Sequence, residues 1–262
     1  MCEMQKVKIA FIGSGNVAWH LAKNFSRFGH PIVGISSRNV ESAKKLALEV
    51  GSQAKKIFDL DLCAADLVFL CVPDKAIYEI AQNLDVKNAC VVHTSGATHL
   101  GVLDKFNNKG VFYPFNTFSK RVEISLDDTP IFVESPTHEK LLSNLAKSFS
   151  KKVHVFNSKQ RLQLHIAGTL VNNFVNHILA MGENFMGKNE IDYHLLQPLI
   201  ERTFSSALKQ SPSKVQSGPA SRNDRITIQK HRAFLKDHTD LNEIYHVLTN
   251  SILKKYGYEK LD

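Results

Sequence analysis

The chain has 262 residues, 43% of them hydrophobic and 22% charged, the values of an ordinary soluble globular protein with one large domain or two modest ones. Its formal charge of +8 divides evenly, +4 in residues 1–156 and +4 in residues 157–262, with no dense basic run. That spread argues against a nucleic-acid partner and suits a protein that holds a polyanionic cofactor.

In chain order, Val7–Ile12 reads as an apolar strand that runs into Gly13-Ser14-Gly15-Asn16-Val17-Ala18, a G-x-G-x-x-A turn, and then into a helix over Val17–Phe28. Such a turn is a pyrophosphate cradle. Gly13 allows the tight turn, Gly15 lets the backbone approach the phosphates, and Ala18 lets the helix pack close to the strand. The helix N-terminus then offers free N–H groups and a positive dipole end to an anion. Gly13, Ser14, Gly15, Asn16 and Val17 are therefore the expected cofactor-binding turn.

Pro31–Ser36 is the second expected strand, followed by a helix over Val40–Val50 that Gly51 ends. An acidic residue at the end of this strand would take the ribose hydroxyls of NAD, but none appears before Glu41. Ser36, Ser37, Arg38 and Asn39 stand there instead. Arg38 can fork two N–H bonds onto a 2′-phosphate, so NADP(H) is favoured and NAD(H) stays open.

Lys56–Phe58 is a short expected strand, and Leu67–Val72 a fully buried one with a helix after it over Lys75–Leu84. Strands over Ala89–His93, Gly110–Pro114, Pro130–Glu134 and Val153–Phe156 follow, with a helix over His138–Phe149. The alternation predicts an α/β Rossmann domain, a doubly wound and mainly parallel sheet, ending near residue 156. Beyond that point no strand signal remains. One helix of some seven turns is expected over Gln160–Phe185, with further helices over Tyr193–Gln210, Asp224–Lys236 and Asp240–Tyr256. Residues 157–262 thus read as an all-helical substrate and dimerisation domain. Apolar stripes in Leu162–Met181 and Leu195–Leu208 exceed what one short domain needs to cover itself, so a homodimer through this half is expected.

Ligands of open α/β sheets sit at the carboxyl ends of the strands. The strand ends here carry Val72-Pro73-Asp74, with Val72 and Pro73 expected to line the cofactor, and His93-Thr94-Ser95-Gly96, where Thr94, Ser95 and Gly96 are expected to bind the cofactor and whose donors could hold substrate or the carboxamide. A third, Tyr113-Pro114-Phe115-Asn116-Thr117, adds Asn116 as a substrate contact. In the helical half, His165, Thr169 and Asn172 fall on one helix face at i, i+4 and i+7, with His165 as the expected proton donor or acceptor. Arg222, in the Gly218-Pro219-Ala220-Ser221-Arg222-Asn223-Asp224 loop, could clamp a substrate carboxylate, while Asp224 caps the next helix. The expected catalytic set is His165, His93 and Asn172, with Asn116, Thr169 and Arg222 binding substrate. No metal site is expected.

The cysteines Cys2, Cys63, Cys71 and Cys90 show no C-x-x-C spacing, and Cys71 and Cys90 lie in apolar strand runs as small hydrophobes. No secretory segment precedes the first strand, and no apolar run approaches the ~18 residues a bilayer demands. A cytoplasmic protein with no membrane partner is the expectation.

Taken in order, the stretches G-S-G-N-V-A, C-V-P-D, H-T-S-G-A, Y-P-F-N-T-F-S and S-G-P-A-S-R-N-D resemble a bacterial family of Rossmann-like proteins with a helical C-terminal domain of unknown function (DUF2520). Its members are described as NADP- or coenzyme F420-dependent oxidoreductases. The chain is more distantly similar to pyrroline-5-carboxylate reductase, prephenate dehydrogenase and the β-hydroxyacid dehydrogenases, which pair a Rossmann domain with a helical domain that commonly dimerises. Where β-hydroxyacid dehydrogenases place a catalytic lysine three residues before a helical asparagine, this chain has Thr169 before Asn172, so that lysine chemistry does not carry over. The resemblance implies an NADP(H)-dependent oxidoreductase acting on a small carbonyl or imine, with a carboxylate-bearing substrate expected. F420 enters through the family name alone. The competing reading is a non-catalytic NADP-binding redox sensor or scaffold.

Overall fold

The computed structural model describes residues 6–262, and Cys2 lies outside them. Eight strands form one sheet in the order β3-β2-β1-β4-β5-β6-β7-β8. They are β1 Ile9–Ile12, β2 Ile32–Ser37, β3 Ala54–Lys56, β4 Leu67–Leu70, β5 Cys90–His93, β6 Lys109–Pro114, β7 Ile131–Glu134 and β8 Val153–Val155. Every neighbouring pair is parallel except β6 and β7. From β1 the chain winds outward to β3, then returns past β1 to β4, so the order reverses between β1 and β4. That reversal is where an open α/β sheet forms its crevice.

The central strands are apolar on both faces because helices cover both. Phe11 and Phe69 face α1 (Asn16–Arg27) and α2 (Val40–Glu49), while Ala10, Ile12, Val68 and Leu70 face α3 (Asp74–Asn83). On the first face the rings of Phe11, Phe25, Phe69, Phe112 and Phe149 meet with centroids 5.2–6.3 Å apart. The helix α4 (Glu139–Lys147) adds Leu142, Leu145 and Ala146 to this layer.

Two expectations change. The third strand ends at Lys56 rather than continuing to Phe58, because Phe58 turns the chain with φ of 71°, which no strand accommodates. The single long helix is broken: α5 (Ser158–Gly168) ends in a π turn over Thr169–Asn173, and α6 (Phe174–Lys188) follows. The chain forms two compact units, residues 6–170 and 171–262, and Arg161 holds α5 to the first.

In the second unit, α7 (Gln197–Lys209), α8 (Arg225–Phe234) and α9 (Thr239–Lys255) join α6. Its core is small: Ala220, Ile228 and Leu253, with Tyr245, Ile252 and Leu261 packed against them. No helix of the described residues is long and apolar enough to cross a membrane.

Candidate active site

The carboxyl ends of β1, β2, β4, β5 and β6 lie along one edge of the sheet, and the expected site residues gather there in part. Gly13 has φ of +110°, and a Cβ on it would lie 2.1 Å from the carbonyl oxygen of Cys71, so no other residue fits. Its N–H donates to the carbonyl of Ser36 at 2.6 Å, which fastens the turn to β2. At Gly15 a Cβ would meet nothing within 4 Å, leaving the approach to α1 open. Gly15 is also the N-cap of α1, with no side-chain cap and no acidic residue in the first turn. The N–H groups and dipole at this helix end are therefore directed at open space. A cavity of about 130 Å³ adjoins it, lined by Gly13–Gly15, Ser37, Arg38, Val72 and Pro73 among others. These features fit the pyrophosphate and adenosine half of a dinucleotide.

Within this cradle the residues divide their labour. Ser37, Arg38, Val72 and Pro73 line the cavity, whereas Ser36 is fully buried and contributes its carbonyl to the Gly13 turn. Ser14 is buried and its carbonyl accepts from Ser42 and Lys120. Asn16 donates to the Phe118 carbonyl, and Val17 packs against the core. Asn39 is the α2 N-cap, accepting from Ser42 N–H at 3.0 Å.

At the β5 end, His93 is completely enclosed. Its Nδ1 accepts from the Ser95 N–H at 3.2 Å, and Nε2 has no hydrogen-bond partner among the described residues. Burial pushes its pKa down to about 3, with Arg161 and His99 adding repulsion. The neutral, enclosed imidazole shapes this turn. Ser95 stabilises the same turn, its Oγ accepting from Ala97 and Thr98 N–H. Thr94 is hydrogen-bonded to the buried Cys71 thiol, which burial pushes up to about 12 and makes unreactive.

His165 is brought to this edge by α5. Its Nδ1 lies 3.0 Å from the Tyr113 hydroxyl on β6. Both press on Gly96, where a Cβ would stand 2.6 Å from His165 Nδ1 and from Tyr113 Cζ. Burial, and secondarily the charge of Asp74, push the Tyr113 hydroxyl up to about 12, so it keeps its proton at neutral pH. The anchor behind this pair is Arg161, one helical turn before His165 and 1% exposed. It donates to the carbonyls of Ser95 at 3.2 Å and Thr98 at 2.5 Å and forms an ion pair with Glu134. Glu134 also accepts from the Ser158 N–H and hydroxyl. Asn157 and Gln160 close a capping box that starts α5 at this point.

The remaining expected residues make contacts of their own. Asn116 gives its amide to Thr129 Oγ1 at 2.9 Å and accepts from Thr117 N–H. Thr169 donates back to the His165 carbonyl at 3.0 Å. The stripe of His165, Thr169 and Asn172 presumed uninterrupted α-helix, and the π turn alters that phase. Asn172 belongs to the second unit. Arg222 is exposed and stands 3.8 Å from Asp224, which caps α8 as expected. Tyr113, Arg161 and Lys120 were not singled out from sequence. Spacing offered a signal for one of them, since Arg161 precedes His165 by four residues on one helix face.

Comparison with known proteins agrees with this fold. Residues 8–95 match the model described as NADP oxidoreductase, coenzyme F420-dependent, and residues 129–252 match the domain of unknown function DUF2520. A Bacteroides fragilis protein to which NADP oxidoreductase activity has been ascribed is 32% identical, with 95% of this chain and 98% of that one covered and a TM-score of 0.87. The chain belongs to this oxidoreductase family. Beyond the family, the fold is shared with a reductive aminase from Aspergillus terreus solved with NADPH and ethyl-5-oxohexanoate (12% identity, 96% and 95% covered, TM-score 0.70). It is shared too with a pyrroline-5-carboxylate reductase from Coxiella burnetii (12% identity, 97% and 98% covered, TM-score 0.57). None of the curated proteins matches the sequence.

Proposed function

We propose that the protein is an NADP(H)-dependent oxidoreductase that reduces a small carbonyl or imine. The observation that carries this reading is the Tyr113–His165 pair, held over Gly96 at the same sheet edge as the dinucleotide cradle. When bound, the dinucleotide supplies a hydride to the electrophilic carbon. Tyr113 Oη gives a proton to the substrate oxygen or nitrogen, and His165 Nδ1 returns one to Tyr113 from solvent. Ser37 and Arg38 support NADP over NAD, since guanidinium and hydroxyl donors suit a 2′-phosphate.

The test is a titration with NADPH and NADH, followed by a screen of carbonyls, imines and F420. Turnover with NADPH, lowered ~100-fold or more in Tyr113→Phe while NADPH affinity holds, is the expected result. Tight NADPH binding with no turnover across the panel would favour the sensor or scaffold reading. Failure to bind either dinucleotide would sink both.

We also infer a homodimer through the helical unit. Phe174, Ile178, Leu195, Leu199, Phe204 and Leu208 are exposed at 41–88%, far more apolar surface than the unit's three-residue core explains. Sedimentation at micromolar concentration should give twice the 29.4 kDa chain mass, and a monomer would refute it.

A further inference from the structure

The connection between β6 and β7 crosses the glycine turn instead of returning directly. The Phe118 carbonyl accepts from Asn16 Nδ2 at 2.9 Å, and the Ser119 carbonyl accepts from His20 Nε2 at 3.0 Å. Next along the chain, Lys120 Nζ donates to the Ser14 carbonyl at 2.6 Å and to Ser42 Oγ at 3.1 Å. Its ammonium also lies 5.2 Å above the ring of Trp19. Among the described residues no carboxylate pairs with it, although seven other cationic side chains have such partners.

The place is specific. Ser14 belongs to the phosphate turn, and Ser42 lies in the first turn of α2, directly after the Ser37-Arg38-Asn39 corner. The ammonium thus sits where the N-terminal ends of α1 and α2 converge, held by neutral oxygens only. Burial and the neighbouring Lys45 both disfavour its charge, a balance that an incoming anion would reverse. Arg38 lines the same cavity as Ser14, whose carbonyl Lys120 holds.

We propose that Lys120 is a specificity residue for the cofactor, its ammonium taking the 2′-phosphate of NADP opposite Arg38. This rests on the NADP reading above. It differs from a role at the pyrophosphate, which NADH and NADPH share.

The test uses Trp19, the single tryptophan, whose emission reports occupancy of the adjoining turn, with calorimetry as a second readout. Wild type and Lys120→Met are titrated with NADPH, NADH, 2′,5′-ADP and 5′-AMP. The expected outcome is a ~10- to 100-fold loss of affinity for NADPH and 2′,5′-ADP, with NADH and 5′-AMP unchanged and Lys120→Arg close to wild type. Equal weakening of NADPH and NADH would assign Lys120 to the pyrophosphate and overturn the proposal, as would no change at all. Should Lys120→Met not fold, Lys120→Gln is subject to the same criteria. Wild-type protein that binds NADPH no better than NADH would instead overturn the NADP reading itself, and with it this role.

Discussion

The Tyr113 hydroxyl and His165 Nδ1 meet at 3.0 Å across a glycine that has no room to become anything else. A Cβ added to Gly96 would stand 2.6 Å from both partners, closer than any unstrained contact. Gly96→Ala should therefore part the pair. The expected result is a kcat lowered at least ~10-fold, read by steady-state kinetics. Full kcat in the Gly96→Ala variant would show that the pair is dispensable.

The Arg161–Glu134 ion pair makes an asymmetric prediction for stability. Arg161 is fully enclosed, and Glu134 is its only charged partner among the described residues. Glu134→Ala leaves a buried guanidinium without a counter-charge and should cost about 3–5 kcal/mol in urea unfolding. Arg161→Met fills similar volume and leaves Glu134 with its Ser158 hydrogen bonds, so its loss should be smaller. Equal losses would count against the buried-charge argument.

His93 sets a pH dependence of known sign. Its folded pKa of about 3 lies below the ordinary histidine value of 6.5, so between those limits the unfolded chain binds a proton that the folded one refuses. Stability conferred by neutral His93 is therefore present above pH 6.5 and is lost as pH falls toward 3. His30, also lowered by burial, acts in the same direction. A His93→Gln variant should show a flatter decline of Tm across this range. An unchanged slope would mean that other groups govern it.

What could be read from the sequence was local. The Gly13–Ala18 turn follows its strand without interruption, and the φ requirement at Gly13 is encoded in one residue, so cradle and strand order were legible together. His165 was legible as a polar residue on an apolar helix, but its partner Tyr113 lies 52 positions away and reads as an ordinary strand aromatic. Arg161 near a helix start looks solvated until the sheet closes over it. The π turn at Thr169–Asn173 leaves no mark in hydrophobic periodicity, which is why Asn172 was assigned to the His165 stripe.

Adjacent antiparallel strands can be joined by as few as about two residues. Between β6 and β7 the chain uses all of residues 115–130, and part of that length is spent on the contacts to Asn16, His20, Ser14 and Ser42. The length of this loop is thus set by the distance to the nucleotide turn rather than by the topology of the sheet. Insertions and deletions that surface loops ordinarily absorb would here be registered twice, at the turn after β1 and at the strand that carries Tyr113.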